Sequence, residues 1–354
     1  MNSYDRVLTA LELNTPDRVP IVEWMIHPAV LARLQPGASE KEFMAAHLDA
    51  VTVSQCINEV NCGNGVFIDE WGIKRNRLGQ DYGFAFEFPI RNEEDLRKYL
   101  PPKPQGEYRL RTLQETVRQY KGEKAIVFGL ESVFTTAWAL VGFESFLMSV
   151  RTDPEFVKKL LDLSFTYHFE LAKAAIQAGA DIIMCGDDLA YNQGLILSLR
   201  DFREFLFPYY RTIVDEVHSR GAYFVKHTDG RIWEIMDSLL ELHIDGINPL
   251  EPTAGMSLAD VKREYGSRIC LIGNIDCGDL LCRKPIKCVE SVVKETIQIG
   301  APGGGYIISS SNVIHAAVRP ENYWTMVQTA KKYGRYEIPQ LEPSQSIACR
   351  GRHR

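Results

Sequence analysis

From residue 125 onward this chain repeats one unit: a short apolar run, a polar turn, then an amphipathic stretch of helical period. The apolar runs are residues 125–129, 181–185, 223–225, 245–247, 269–273 and 305–308. The helical stretches between them are 154–178, 199–220, 232–242, 258–265 and 287–299. Gly179, Gly221, Gly266 and Gly300 stand where a helix C-terminus calls for glycine. Strand and helix in strict alternation require parallel strands joined by right-handed crossovers. Two more runs upstream, 18–25 and 49–55, raise the strand count to eight. Eight such units closing on themselves make an α/β fold of the (β/α)8 TIM-barrel type.

Residues 63–89 break the pattern. The runs 66–73 and 84–88 flank a turn bearing Gly and Asp, which reads as a β-hairpin. It is an N-terminal excursion that distorts the barrel and is placed to form a lid or wall. Pro101, Pro102 and Pro104 make a stiff connector before a helix over 110–120. Residues 1–340 are expected to form one barrel domain, and 341–354, with Arg350, Arg352 and Arg354, a disordered tail. A chain of 354 residues that is 45% hydrophobic can bury a core of that size. The net charge of -6 is spread among both signs, so no basic field exists to hold nucleic acid. No apolar run approaches the roughly 20 residues of a membrane span, and none reads as a signal peptide. The eight cysteines form no CxxC pair and are expected as reduced thiols of a cytoplasmic protein. Nothing matches GxGxxG, a P-loop, GxSxG or HExxH, and Gly303-Gly304-Gly305 precedes a strand and not a helix.

The chemistry sits at the strand ends, which a barrel brings to one mouth. They carry Glu131-Ser132, Gly186-Asp187-Asp188, His227-Thr228-Asp229-Gly230, Asn248-Pro249-Leu250-Glu251, Asn274-Ile275-Asp276, and Ser309 to Asn312 with His315 beyond. His227 and Asp229 are two apart, so an extended backbone projects both from one face, able to share a ligand or a metal. The plainer reading of Asp229 is a cap for the next helix. Asp187 or Asp188, and Asp276 after its own strand, are open to the same reading. Five or more carboxylates converging on one mouth cannot all ionise cheaply without a cation or hydrogen-bond donors.

Several of these pieces occur together in a known order. Asp17-Arg18-Val19-Pro20 comes first, then Val66-Phe67-Ile68-Asp69-Glu70-Trp71-Gly72 and Gly186-Asp187-Asp188. His227-Thr228-Asp229-Gly230, Gly246 to Pro252, Gly273-Asn274-Ile275-Asp276 and Pro320-Glu321-Asn322 complete it. The chain resembles the uroporphyrinogen decarboxylase superfamily over nearly its whole length. The resemblance implies a distorted (β/α)8 barrel and either of two activities, decarboxylation or cobamide-dependent methyl transfer. True decarboxylases of the family carry arginines after the first strand, where this chain reads Glu23-Trp24-Met25-Ile26-His27-Pro28. Asp69 is the counterpart of their pyrrole-holding aspartate. Thiol-methylating members bind zinc through His-x-Cys and a later Cys; here His227 stays, Asp229 replaces the first Cys, and Ser309, Ser310 and Ser311 fill the last strand. Such an N/O set is harder than a thiolate site.

The expectation is therefore a methyltransferase that moves a methyl group between a small methylated donor and a corrinoid (cobalamin) carried by a partner protein. His227 and Asp229 would hold a metal, zinc among the possibilities, or the leaving group. Asp187, Glu251 and Asp276 are the candidate acids or further ligands. Asp69, Trp71, Trp138, Ser310 and Asn312 are the candidate substrate contacts, with the two tryptophans walling an aromatic or apolar donor. The alternatives are a decarboxylase of a small or tetrapyrrole carboxylic acid, and a non-catalytic tetrapyrrole or corrinoid binder. The family likeness also implies a homodimer.

Overall fold

The computed structural model of the protein describes residues 1–77 and 83–336. The apolar runs pair side by side, in chain order, into one parallel sheet. Its strands are β1 (Ala50–Ser54), β2 (Ala125–Glu131), β3 (Ile182–Gly186), β4 (Tyr223–His227), β5 (Gly246–Asn248), β6 (Cys270–Ile272) and β7 (Tyr306–Ile307). Ala125, Val127, Ile182, Met184, Val225, Ile272 and Ile307 point inward and form an interior core with Val7 and Leu11 of α1 (Ser3–Leu11). Ile126, Phe128, Ile183, Phe224, Ile247 and Leu271 face outward into the helix layer. Burial on both faces is why these strands read as continuous apolar runs without alternation.

The run at 18–25 does not form a regular strand, yet it closes the barrel. Val22 N donates to Ile308 O at 3.1 Å, and Ile308 N donates to Pro20 O at 2.9 Å. On the other side Asp49 N donates to Ile21 O at 2.9 Å, and Thr52 Oγ1 donates to Glu23 O at 2.6 Å. The segment thus bridges β7 to β1, and the sheet curls into a distorted (β/α)8 barrel. It is anchored by the fully buried Asp49. Asp49 Oδ1 accepts from Arg6 Nη1 (2.7 Å), Arg18 Nη2 (2.8 Å) and Ser3 Oγ (2.8 Å). Its Oδ2 accepts from Arg18 Nη1 and from Ile21 N, both at 2.9 Å. Further along the same segment the Glu23 carboxylate is buried, accepting from Ser310 N (3.0 Å) and Ser310 Oγ (2.7 Å). Burial pushes the Glu23 carboxyl up to about 8, and the two Ser310 bonds only partly oppose it.

Several expectations are corrected. The excursion is larger than a hairpin: Glu59–Gly63, Val66–Asp69, Lys74–Asn76 and Phe84–Glu87 form a four-stranded antiparallel sheet. The helix expected over 199–220 is two, Leu199–Phe205 and Phe207–Ser219, because Pro208 has no N–H and suits only a first turn. The helix over 232–242 shrinks to a 3₁₀ turn, Trp233–Ile235, followed by Met236–Leu240. Gly300 ends inside its helix, Ile286–Gly300, because a Cβ there would sit 2.7 Å from the Tyr306 ring. Among the described residues Cys56, Cys62, Cys185, Cys270, Cys277 and Cys282 are free thiols. Part of the excursion's turn and the tail at 341–354 lie outside the described residues. Among the described residues no single helix is long and apolar enough to cross a membrane.

Two predictions follow from the closing segment. Asp49→Ala leaves Arg6 and Arg18 without their shared carboxylate in a buried site, and should destabilise the fold by about 3–5 kcal/mol in denaturant titration. Glu23 holds its proton in the fold up to about 8 but loses it near 4.5 when unfolded. Between those values the folded state binds more protons, so stability falls as pH rises through that window. Glu23→Gln has no such proton to lose. Its melting temperature relative to wild type should climb by several degrees between pH 5 and pH 8; a difference that does not vary with pH would mean Glu23 ionises in the fold.

Candidate functional site

The C-terminal strand ends share one rim, and the end of β4 is its centre. Side chains alternate along the strand, so Lys226 and His227 part company. Lys226 is fully buried, with Nζ donating to Asp187 O (2.7 Å) and to His227 O, above the Tyr210 ring. Its charge is spent on carbonyl oxygens behind the rim. His227 turns to the mouth. Its Nδ1 bonds Asn248 Oδ1 at 2.6 Å, and Asn248 Nδ2 in turn donates to Ser309 Oγ at 3.3 Å. The Nδ1 position therefore carries the proton and Nε2 presents its lone pair. Burial lowers the His227 pKa, which keeps the ring neutral. Thr228 Oγ1 accepts from Leu189 N (2.9 Å), tying β4 to the loop after β3. Gly230 is required where it stands: φ is +86°, and a Cβ would lie 2.6–2.7 Å from the Ala190 and Tyr191 backbone.

Asp229 projects beside His227, as the two-residue spacing predicts, with Oδ1 3.7 Å from Nε2. Asp188, from the end of β3, accepts from Asp229 N at 3.0 Å. One ligand atom each from Asp188, His227 and Asp229 lies within 4.8 Å of the others, an arrangement able to hold a metal ion. Asp229 Oδ2 accepts from Asn312 Nδ2, whereas its Oδ1 is buried with no hydrogen-bond donor. Glu251 closes the group, accepting from Gly230 N (2.9 Å) and Thr253 Oγ1 (2.6 Å). Burial, then the charges of Asp188 and Glu251, push the Asp229 carboxyl up against the weaker pull of Lys226. An acidic group this crowded takes up a proton or a cation.

The other expected site residues are placed differently. Asp187 is a cap: it accepts from Phe134 N (3.1 Å), Thr135 N (2.7 Å) and Tyr210 Oη (2.6 Å), satisfying the start of the helix Val133–Val141. Asp276 is a cap as well, accepting from Gly278 N (2.8 Å), Asp279 N (3.2 Å) and Leu280 N (3.0 Å). Both carboxylates are spent on backbone N–H groups, so neither is positioned as the acid expected of it. Asp69 accepts from Trp71 N and Ile73 N, each at 3.0 Å, and from Arg75 Nε at 3.4 Å, which pins the turn of the excursion. Trp71 is 6% exposed and packs edge-on against Tyr167, inside the helix layer. Trp138 lies edge-on to Phe143 at 5.4 Å. Neither tryptophan meets the β4 cluster. Ser310 is bound to Glu23, and Asn312 reaches Asp229.

Three mouth residues, Asp188, Glu23 and Trp24, are not among the expected site residues. Asp188 was hidden by its neighbour: adjacent acids past a strand end point opposite ways, and nothing local says which turns inward. Glu23 and Trp24 lie on the closing segment, whose strand character is broken. The Trp24 ring sits 4.8 Å from the His227 ring, tilted by 33°. A Cβ added at Gly129 of β2 or Gly186 of β3 would come within 3.5 or 3.3 Å of its indole. Trp24 thus lies across the top of the interior core and floors the mouth.

With this geometry in view, the comparisons are consistent. The Uroporphyrinogen decarboxylase (URO-D) family profile matches residues 71–333. The uroporphyrinogen decarboxylase of Vibrio cholerae serotype O1 is 25% identical over 352 residues, spanning 92% of this chain and 95% of that protein. That of Aliivibrio salmonicida is 27% identical over 253 residues, 68% of each chain. A methyltransferase from Methanosarcina mazei superposes with a TM-score of 0.74 at 20% identity, covering 94% of this chain and 99% of its own. At that identity the superposition establishes the shared barrel and nothing finer. The family match runs from the excursion through every strand end of the mouth but β1's and the closing segment, and this chain belongs to the uroporphyrinogen decarboxylase family.

Proposed function

We propose that this protein is a methyltransferase passing a methyl group from a small methylated donor, a methoxy compound or a methylamine, to a corrinoid carried by a partner protein. The family contains decarboxylases and methyltransferases, so the mouth must decide between them. The observation that carries the choice is the Asp188–His227–Asp229 group, with its buried, donor-less Asp229 oxygen. A decarboxylase acting on a polycarboxylate needs cations at the mouth. Here Lys226 is committed to carbonyls, Arg75 to Asp69 and Arg109 to Glu70. Asp188, Asp229 and Glu251 would repel such a substrate.

The corrinoid is a substrate in this reading, and its reduced cobalt is already the nucleophile. What the enzyme must supply is orientation of the donor and neutralisation of the leaving oxygen or nitrogen. The residues present fit a divalent metal: one neutral imidazole nitrogen held by Asn248, two carboxylates, and a buried oxygen lacking any donor. Asp188, His227 and Asp229 would hold it, zinc or a harder ion, and it would supply Lewis acidity at the leaving atom. Asp229 alternatively holds a proton at Oδ1, since its surroundings oppose ionisation. Asn312 orients Asp229, Glu251 fixes the Gly230 turn beneath it, and Trp24 floors the mouth over the apolar interior core. A decarboxylase of a small acid is the competing reaction, with Asp69 as its expected anchor.

Incubation with a reduced corrinoid protein and a panel of methoxyarenes and methylamines should yield the absorption spectrum of methylcobalt(III). If no donor gives it and labelled carboxylic acids release carbon dioxide, the decarboxylase reading replaces ours. Metal analysis after loading with zinc should show close to one equivalent in wild type, falling at least tenfold in His227→Ala and in Asp229→Asn. Equal metal in wild type and both variants would remove the group as a metal site.

A further inference from the structure

We infer that Lys226 is the positioning residue of the rim group: its buried ammonium sets the spacing of Asp188 against His227 and Asp229, on which affinity for a divalent metal depends. This rests on the reading of that group as a metal site, and adds a residue that touches neither metal nor donor. Lys226 leaves β4 on the face away from the mouth and is fully buried. Its Nζ donates to three carbonyl oxygens, Asp187 O at 2.7 Å, Cys185 O at 3.4 Å and His227 O. Three acceptors require three N–H bonds, so the nitrogen is an ammonium. None of those partners carries a charge, and the Tyr210 ring 5.5 Å away adds its π face. A buried cation held by dipoles is costly to keep.

Those carbonyls lie where the rim group needs support. The β3–β4 ladder ends at the pair Gly186–His227, and the ligand carboxylates come after it, Asp188 past β3 and Asp229 past β4. The next backbone bond, Asp187 N to His227 O, is long at 3.3 Å. The bond from Asp229 N to Asp188 Oδ1 uses the ligand carboxylate itself, so it cannot hold that group independently. Lys226 bridges the same two strand ends from behind. Asp187 O belongs to the planar peptide unit that leads into Asp188, so fixing its direction fixes where the Asp188 Cα sets out. His227 O does the same for the peptide leading through Thr228 to Asp229. One ammonium thus acts on both halves of a group whose ligand atoms lie within 4.8 Å of one another. Charge alone would work the other way. A cation behind the rim repels a second cation in front of it, so removing it would tighten metal binding. Positioning and electrostatics predict opposite signs for the same substitution.

The test is zinc titration of the full chain against a chromophoric chelator, with two neutral replacements compared. Lys226→Met removes charge and donors together, whereas Lys226→Gln removes the charge and keeps N–H donors for the carbonyls. Zinc affinity should fall roughly ten- to a hundredfold in Lys226→Met, as when partners that orient metal ligands are lost, and recover in part in Lys226→Gln. Loaded with cobalt(II), Lys226→Met should show a changed ligand-field spectrum while its far-ultraviolet circular dichroism stays that of wild type. Tyr210→Phe loses a hydrogen bond to Asp187 in the same buried layer, controls for general destabilisation, and should keep wild-type zinc affinity. Affinity unchanged or tightened in Lys226→Met, equal affinity in the Met and Gln variants, or an equal loss in Tyr210→Phe would each overturn the inference and leave the metal site standing. If Lys226→Met does not fold, Lys226→Gln decides: weaker zinc binding than wild type supports the positioning role, and equal or tighter binding overturns it. A wild-type chain that binds no zinc would remove the metal reading and the role of Lys226 with it.

Discussion

Asp49 gathers two arginines, a serine hydroxyl and a backbone N–H around one fully buried carboxylate, and the mouth at the opposite rim depends on it. A seven-stranded parallel sheet left open would present two unpaired edges. The segment after Arg18 covers both, but with too few ladder hydrogen bonds to hold itself there. The ion pairs supply the missing attachment, fixing Ile21 between β1 and β7. From that point the chain can only continue upward along the barrel wall, which delivers Glu23 and Trp24 beneath the strand ends. Fold and site are coupled through eight residues of irregular backbone.

The mouth itself is a set of charges that local structure only partly satisfies. Caps absorb Asp187 and Asp276, because a helix start offers several free N–H groups and a carboxylate relieves them well. Backbone donors also engage Asp188 and Glu251, each through one oxygen. Asp229 is what remains. Asn312 meets one of its oxygens, and the other is buried with nothing to accept from. A single unsatisfied carboxylate oxygen in a crowded acidic site is costly unless a ligand completes it. That residue, not the number of acids, is what sets this group apart from the capped carboxylates of the rim.

The barrel was legible because strands buried on both faces leave an unmistakable apolar run, and because helices punctuated by glycine alternate with them. The pairing of His227 with Asp229 was legible for the same kind of reason: a period of two needs no tertiary information. What stayed hidden depends on contacts between distant segments. Whether an acid past a strand end turns to a helix start or to the mouth is decided by what the helix lacks, so Asp187 and Asp188 look alike in sequence. Which tryptophan floors the mouth is decided by where glycines leave room for its ring. Gly129 and Gly186 are 105 and 162 residues from Trp24, and only the closed barrel brings them under it. Trp71 and Trp138 carry the same ring and end as packing for the helix layer.

The Glu23 position ties the closing segment to the last strand end: its buried carboxyl holds Ser310 by both N and Oγ. Ser310 Oγ also lies 3.2 Å from Asn312 O, and Asn312 reaches Asp229. A run of short contacts therefore leads from the closing segment to the Asp229 carboxylate. An arginine at residue 23 would replace a group that accepts from Ser310 N and Oγ with a buried cation facing the same donors, and the last strand end would have to move. Glu23 thus sets the loop that orients Asp229. The closing segment and the Asp229 carboxylate are, on this geometry, parts of one connected structure.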